Sequence, residues 1–264
     1  MKVSICDKNH IDTLITLFKV LHNFSTNVVL DMNKERMYLQ AMDQSQISIL
    51  DYTIKREWFD SFDVKEDVSI GINTKILCMV FGCFIDGGTM DIELPKDSDV
   101  ISITFKTETE NAIVKEKEFS VPLIDIERDL LDIPDTEYSV DLTLQTSLYN
   151  DIINEIAKFS TILKMKLSEE EVTFKTGLGT NDITMIDCNF EVKLDIENMV
   201  EFSIEEDANI VSCYNIKYLT QLSSLGKHFD TIYLGISKDI PLKLQFGNDE
   251  NCIIRFYFAP KFED

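Results

Sequence analysis

The stretch YSVDLTLQTSLYNDIINEIAKF, residues 138–159, decides the fold, because it repeats in mid-chain an order of elements already present at the start. Residues 138–144 are predicted to form a strand, and residues 145–159 carry apolar side chains at helical spacing. These side chains are Leu148, Ile152, Ile156 and Phe159. A strand and a helix over residues 8–22 open the chain in the same order. The sequence therefore contains an internal duplication with a period of about 137 residues.

Four segments are predicted to be helical, two in each half of the duplication. They are residues 8–22, 73–84, 145–159 and roughly 211–225. Asn9 and Thr146 are the predicted helix starts, with Ser147 as the alternative to Thr146. Most of the remaining chain alternates apolar and polar residues over short runs, as half-buried strands do. In QISILDYTI (46–54), Ile47 and Ile49 face one side and Leu50 the other.

The segment LIDIERDLLDIPDTE, residues 123–137, joins the two halves. It is acidic and contains Pro134, yet it is rich in apolar residues that a fully solvated linker does not need. They are Leu123, Ile124, Ile126, Leu130, Leu131 and Ile133. Two interpretations stay open: the apolar side packs on the protein's own sheet, or it forms one wall of a binding groove.

Composition bounds the class of protein. The 264 residues are enough for two domains, and a net charge of −22 argues against nucleic-acid binding by the surface as a whole. The six cysteines form no CxxC pair, so reduced and buried thiols of an intracellular protein are expected. The sequence predicts neither a signal peptide nor a membrane span, and it contains no basic nuclear-localisation cluster.

Charge is distributed unevenly between the helices and the rest of the chain. Counted over residues 8–22, 73–84, 145–159 and 210–228, the helical segments contain three acidic residues, Asp12, Asp151 and Glu155, and six lysines. The lysines are Lys8, Lys19, Lys75, Lys158, Lys217 and Lys227. These segments therefore carry a net charge of +3. Because the whole chain carries −22, the remaining residues carry −25. If all four helices face one side, that side suits sequence-independent contact with phosphates.

No group of residues predicts catalysis, a metal site or a bound cofactor. The three histidines, His10, His22 and His228, have no Glu or Cys partner at ligand spacing. No phosphate loop or nucleophile motif is present, because GLGTND (177–182) is flanked by predicted strands rather than opening a helix. The sequence therefore favours a protein that is not an enzyme.

Five segments spread along the chain resemble the sliding clamps of the proliferating-cell-nuclear-antigen family. They are LQAMDQSQISIL (39–50), IGIN (70–73), LLDIPDTEYS (130–139), DIPLKLQF (239–246) and FYFAPKFED (256–264). The last is the most specific. The resemblance runs from end to end and agrees with the duplication, the length and the acidity.

The resemblance implies an α+β fold of two similar clamp domains, with antiparallel sheets outside and four helices lining the inner face of a ring. It divides the chain into an N-terminal domain (1–122), a connector loop (123–136) and a C-terminal domain (137–264). It implies a homotrimer that encircles double-stranded DNA without sequence preference. DNA polymerase, clamp loader and other proteins of replication and repair would be its partners, in the nucleus or another intracellular site of DNA replication.

The resemblance also implies a groove for partner peptides that carry a glutamine, an aliphatic residue and two aromatic residues. The positions in this sequence that match the groove are Met42, Gln46, Ile47, Leu131, Ile133, Tyr138, Pro241, Tyr257, Ala259 and Pro260. Ile49 also matches the groove, but core packing is the simpler interpretation for it. The aromatic side chains of the partner peptide would bind in the pocket formed by these apolar residues. An extended part of the peptide would form hydrogen bonds with the backbone near Ala259.

Subunits of this family join by strand addition, and the resemblance places the two edges at residues 113–121 and 176–185. Phe119 and Ile183 are the expected apolar contacts. Lys115 and Lys117 are expected to face acidic groups such as Asp182.

Some positions depart from the family pattern. Asp151 and Asn154 stand where eukaryotic clamps tend to carry arginines, and Glu169 stands near their ubiquitin-modified lysine. Two alternatives to the homotrimeric clamp stay open: a subunit of a heterotrimeric checkpoint-type clamp, and a clamp-fold scaffold that does not encircle DNA.

Overall fold

The computed structural model describes residues 1–107, 115–127, 130–177, 188–247 and 251–261, except for the side chain of Asn198. It divides into two compact units. The first comprises Met1–Asp132 with Asn248–Ile254, and the second comprises Ile133–Gly247 with Arg255–Asp264.

The first unit repeats the predicted order of strand, helix, strands, helix and strands. Its elements are β1 (Lys2–Ile5), α1 (Lys8–Phe24), β2 (Asn27–Met32), β3 (Arg36–Met42), β4 (Ser48–Lys55), a 3-10 turn (Arg56–Trp58), β5 (Ser61–Asp63), β6 (Val68–Asn73), α2 (Thr74–Phe81), β7 (Thr89–Glu93), β8 (Val100–Lys106) and β9 (Glu116–Pro122). One sheet has the order β5-β1-β7-β8-β9, and the other contains β4-β3-β2-β6. The pairings are antiparallel.

The second unit follows the same plan. Its elements are β10 (Val140–Gln145), α3 (Thr146–Ile156), β11 (Ile162–Leu167), β12 (Val172–Thr176), β13 (Glu191–Leu194), a 3-10 turn (Ile196–Asn198), β14 (Glu201–Ile204), β15 (Ile210–Asn215), α4 (Ile216–Thr220), a 3-10 turn (Ser223–Lys227), β16 (Thr231–Ile236), β17 (Leu242–Phe246) and β18 (Cys252–Phe258). The residues of β18 from Arg255 onward belong to this unit, and those up to Ile254 belong to the first. One sheet is ordered β13-β12-β11-β15, and the other contains β14-β10-β16-β17-β18.

Each unit buries its apolar faces between sheets and helices. In the first unit, Val3 and Ile103 of one sheet meet Leu30 and Met37 of the other, with Phe18 of α1 among them. At the start of β4, Ser48, Leu50 and Tyr52 are buried whereas Ile49 is half-buried, as the predicted alternation requires. Ile47, just before the strand, is exposed. Burial of these apolar side chains is the main favourable term in the folding of each unit.

The described residues contain four α-helices, which confirms the predicted number, but their bounds differ from the prediction. Helix α1 begins at Lys8 because the Asp7 carboxylate, rather than Asn9, accepts the N-cap hydrogen bond, from the His10 N–H at 3.0 Å. Helix α3 begins at Thr146 as expected.

The fourth predicted helix, residues 211–225, is the least accurate. Residues up to Asn215 belong to β15, which pairs with β11. The helix proper is only Ile216–Thr220, capped by the Asn215 side chain.

The expectation of buried cysteines is wrong for half of them. All six are free thiols, but Cys6, Cys83 and Cys188 are exposed. Only Cys213 and Cys252 are buried.

Candidate functional site

The loop between β3 and β4 holds the first predicted groove residues, and Asp43 organises it. The buried Asp43 carboxylate accepts hydrogen bonds from the backbone N–H groups of Ser45 (3.0 Å), Ile47 (2.8 Å) and Ser48 (2.6 Å). Burial raises the pKa of Asp43, but these hydrogen bonds outweigh burial, so the pKa lies below its usual value. The loop thereby holds Gln46 in the left-handed region, with φ of 56°, and leaves Ile47 37% exposed.

The connector is fastened to the sheet of the first unit at two described points. The N–H of Ile124 donates to the carbonyl of Gly71 on β6 at 3.0 Å. A side chain on Gly71 would collide with Ile124, since a Cβ there would lie 2.0 Å from its carbonyl oxygen. The second point is the backbone of Leu131, which is bonded to Gln40 of β3.

Apolar side chains of the connector remain outside the core. Leu130 is 56% exposed and Leu131 is 38% exposed. Both interpretations of this segment therefore have a structural basis: its backbone is held on the sheet, and part of its apolar surface is available for a partner.

The second unit holds the other predicted groove residues, Ile133, Tyr138, Pro241, Tyr257, Ala259 and Pro260. Each of them is half-buried except Pro241, which is exposed. The Tyr138 ring lies against Gly235 of β16, where a Cβ would be 2.6 Å from the ring. Burial, assisted by the neighbouring Tyr257, raises the pKa of Tyr138 to about 12. The chain after β18 is held to β15, because the N–H of Lys261 donates to the carbonyl of Cys213 at 2.7 Å.

All six predicted DNA-facing lysines are exposed, but they are not equivalent. The Lys8 ammonium lies 2.7 Å from the Asp86 carboxylate, so part of its charge is already balanced. Among the described residues, no carboxylate lies within 4.0 Å of the ammonium groups of the other five. These are Lys19, Lys75, Lys158, Lys217 and Lys227.

Acidic residues share the exposed face of α3. Asp151 and Glu155 are both exposed and lie one helical turn apart. Lys158, in the turn two residues after the end of α3, is the one base near them in the sequence. The second unit therefore presents a less positive helical surface than the lysine count alone predicts.

The predicted subunit edge in the first unit is an edge strand in the described structure, since β9 ends the order β5-β1-β7-β8-β9. Phe119 is half-buried against the ring of Phe105, with ring centroids 5.7 Å apart. The Lys117 ammonium donates to the carbonyl of Cys83 at 3.1 Å, and Lys115 is exposed. Asp182 and Ile183, the partners predicted on the opposite edge, lie outside the described residues.

Sequence reasoning missed the polar residues that hold the groove segments in place. Gln40, Tyr38 and Asp51 form a hydrogen-bonded network, with Tyr38 donating to Asp51 at 2.8 Å. The only sequence signal for them is that polar residues alternate with apolar ones on β3 and β4.

Among the described residues no group of histidine, cysteine or acidic side chains is arranged to hold a metal ion. No helix in the described ranges has the length and apolarity needed to cross a membrane.

Two units that each combine antiparallel sheets with a pair of helices define the class of the protein as a clamp-type fold. Known families and structures agree with this assignment. The N-terminal domain of proliferating cell nuclear antigen (PCNA) matches residues 9–130, and its C-terminal domain matches residues 132–261. The chain therefore belongs to the PCNA family of sliding clamps, whose members act in DNA replication and repair.

The relatives are distant but cover most of the chain. The PCNA of Chaetomium thermophilum is 23% identical over 237 residues, which is 89% of this chain and 88% of the relative. The PCNA of Caenorhabditis elegans is 23% identical over 241 residues, covering 90% and 89% respectively.

Solved structures share the fold throughout. The crystal structure of PCNA from Entamoeba histolytica superposes with a TM-score of 0.83 at 20% identity, covering 99% of this chain and 98% of that one. A PCNA2–PCNA3 complex from Sulfolobus tokodaii gives a TM-score of 0.85 at 20% identity over the whole of both chains.

Proposed function

We propose that this chain is the subunit of a homotrimeric ring that encircles duplex DNA and serves as a polymerase processivity factor without catalytic activity of its own. The observation that carries the proposal is the set of five exposed lysines with no carboxylate within 4.0 Å among the described residues: Lys19, Lys75, Lys158, Lys217 and Lys227. Lys19, Lys75 and Lys217 lie on α-helices, whereas Lys158 lies in the turn after α3 and Lys227 ends a 3-10 turn. The net charge of the chain is −22. Weak, sequence-independent phosphate contacts of this kind permit sliding, because no base is read.

Retention on DNA would then come from topology rather than affinity. The test loads the purified chain onto nicked circular plasmid with a clamp loader and measures co-elution of protein and DNA at moderate salt. The proposal expects retention on the circle and loss after a single restriction cut. Equal retention on both forms would instead indicate ordinary surface binding, and loss from both would exclude a loaded ring.

The second part of the proposal is a peptide groove that recruits replication and repair proteins. Two features support it: the exposed apolar residues Ile47, Leu130 and Leu131 in the first unit, and Tyr138 with the tail after β18 in the second. The partners would carry the glutamine, aliphatic and two-aromatic motif. Calorimetric titration of a synthetic peptide with this motif tests it, with a peptide whose aromatic residues are replaced by alanine as the control.

The third part is assembly into a homotrimer through strand edges. The edge strand β9 supports it, because an unpaired edge is an aggregation liability that ring closure removes. Light scattering of the pure chain should give three times 30.4 kDa. We place the ring where DNA is replicated, in the nucleus or an equivalent intracellular site.

One observation favours a second candidate, a subunit of a hetero-oligomeric clamp. Asp151 and Glu155 are exposed on α3, so three identical copies would bring six acidic groups to the helical surface. A chain that stays monomeric at every concentration, yet forms a ring with a second clamp protein, would establish this alternative. A homotrimer that is not retained on DNA would instead indicate a scaffold.

A further inference from the structure

The side-chain amide of Gln40 holds the connector through two hydrogen bonds to the backbone of Leu131, as a neighbouring β-strand would. Its Oε1 accepts a hydrogen bond from the backbone N–H of Leu131 at 2.8 Å, and its Nε2 donates to the carbonyl of the same residue at 3.0 Å. These are the two bonds that a paired β-strand residue exchanges with its neighbour. Gln40 is only 6% exposed, so both bonds are shielded from competing water.

The orientation of the Gln40 amide is set by two further residues. The hydroxyl of Tyr38 donates to Asp51 Oδ2 at 2.8 Å, and the second N–H of Gln40 Nε2 donates to the Tyr38 oxygen at 3.2 Å. A carboxylate can only accept, so the phenol hydrogen points to Asp51 and leaves its lone pairs for Gln40. The nitrogen of the amide must then face Tyr38, which directs its oxygen to the N–H of Leu131.

The strand register brings these residues together. Gln40 lies directly opposite Asp51 in the pairing of β3 with β4. Tyr38 is two residues before Gln40 and therefore on the same face of β3, as is Met42 two residues after it. The network thus fixes Leu131 beside the part of β3 that carries the predicted groove residue Met42.

We propose that Gln40 is a positioning residue for partner-peptide binding, and that Tyr38 and Asp51 act through it by fixing the orientation of its amide. The proposal rests on the groove of the proposed function. Leu131 keeps 38% of its surface exposed while its backbone is held at both hydrogen-bonding groups. The connector around Leu131 is therefore already ordered before a partner binds. Binding does not have to include the entropic cost of ordering this segment.

The test combines two measurements on the full chain. Hydrogen exchange at the Leu131 amide reports whether the connector is held, and calorimetry with the synthetic motif peptide reports binding. Gln40→Ala should speed exchange at Leu131 and lower peptide affinity by about fivefold to tenfold, as expected for losing buried hydrogen bonds. Tyr38→Phe removes one hydroxyl and should cause a smaller change in the same direction.

The double variant separates positioning from a general loss of stability. If Tyr38 acts through Gln40, then Tyr38→Phe combined with Gln40→Ala should bind no more weakly than Gln40→Ala alone. Ser4→Ala is the matched control. It removes a hydroxyl-to-carboxylate bond of 2.6 Å, to Asp91, in the other sheet of the same unit, and should change neither measurement.

Each unfavourable outcome has a distinct meaning. Unchanged exchange at Leu131 in Gln40→Ala overturns the anchoring role. Faster exchange with unchanged peptide affinity overturns the positioning role of Gln40. An additive loss in the double variant overturns the claim that Tyr38 acts through Gln40. Failure of the unsubstituted chain to bind the peptide refutes the groove itself, whereas loss of binding confined to the variants leaves the groove intact.

Discussion

The Asp43 carboxylate and the backbone N–H of Ser48 lie 2.6 Å apart, and this hydrogen bond closes the loop between β3 and β4 on itself. Ser48 also donates its hydroxyl to the same Oδ1 at 3.0 Å. The bonds hold a loop whose backbone passes through the left-handed region at Gln46. The position of the exposed Ile47 therefore depends on one buried carboxylate rather than on apolar packing.

Asp43→Asn should destabilise the chain by about 1–3 kcal/mol, because an amide offers one acceptor oxygen where the carboxylate offers two, and its NH₂ would face backbone donors. Urea unfolding measures the loss. Gln44→Ala, at the neighbouring exposed position, is the control and should lie within about 0.5 kcal/mol of the unsubstituted chain. Equal stability of Asp43→Asn and Gln44→Ala would show that the loop does not depend on the carboxylate.

The same residue predicts a dependence on pH. The pKa of Asp43 is lower in the folded chain than in the unfolded chain, so its stabilisation is fully present above the unfolded value of about 3.9. It is lost as the pH falls through the folded pKa. The difference in unfolding free energy between the unsubstituted chain and Asp43→Asn should therefore be constant from pH 7 to pH 5 and shrink below pH 4. A difference that grows on acidification would contradict the assignment.

The sequence predicted the parts of this fold that depend on local periodicity. The apolar spacing of α1 and α3 identified both helices, and alternation identified which face of β4 is buried. It failed for residues 211–215, because a run of apolar residues fits a buried strand as well as a helix, and only the pairing with β11 decides between them.

The resemblance predicts apolar groove residues, but it does not predict the polar residues that hold their backbone. Met42, Ile47 and Leu131 could be assigned from the resemblance. The bonds between Gln40 and Leu131 join residues 91 positions apart, and the bond from Tyr38 to Asp51 depends on a strand register. A single sequence contains no signal for either of these hydrogen-bonded contacts, because a polar residue at an alternating strand position is normally predicted to face solvent.

The lysines of the helices should contribute unequally to DNA binding. Lys75→Ala should weaken binding and reduce the slope of log affinity against log salt by about one for each phosphate that the variant no longer neutralises. Lys8→Ala should have a smaller effect, because Lys8 is already paired with Asp86 at 2.7 Å. Fluorescence anisotropy with duplex DNA over a salt series measures both variants. Light scattering is the control, and neither variant should change the oligomeric mass. Equal slopes for the two variants would contradict the inequality.

Gly235→Ala tests whether the close contact with Tyr138 is needed in the second unit. The added Cβ would lie 2.6 Å from the Tyr138 ring and 2.8 Å from the Tyr233 hydroxyl, so both tyrosines must move. Overpacking of this kind costs about 1–3 kcal/mol, and displacement of the ring should also weaken binding of the motif peptide. Thermal unfolding and calorimetry measure the two effects. Gly82→Ala is the control. The backbone of Gly82 has ordinary helical dihedrals, and the atom nearest to an added Cβ, the carbonyl oxygen of Cys78, would be 3.3 Å away. If Gly235→Ala lost stability but bound the peptide normally, Tyr138 would be a packing residue rather than part of the groove.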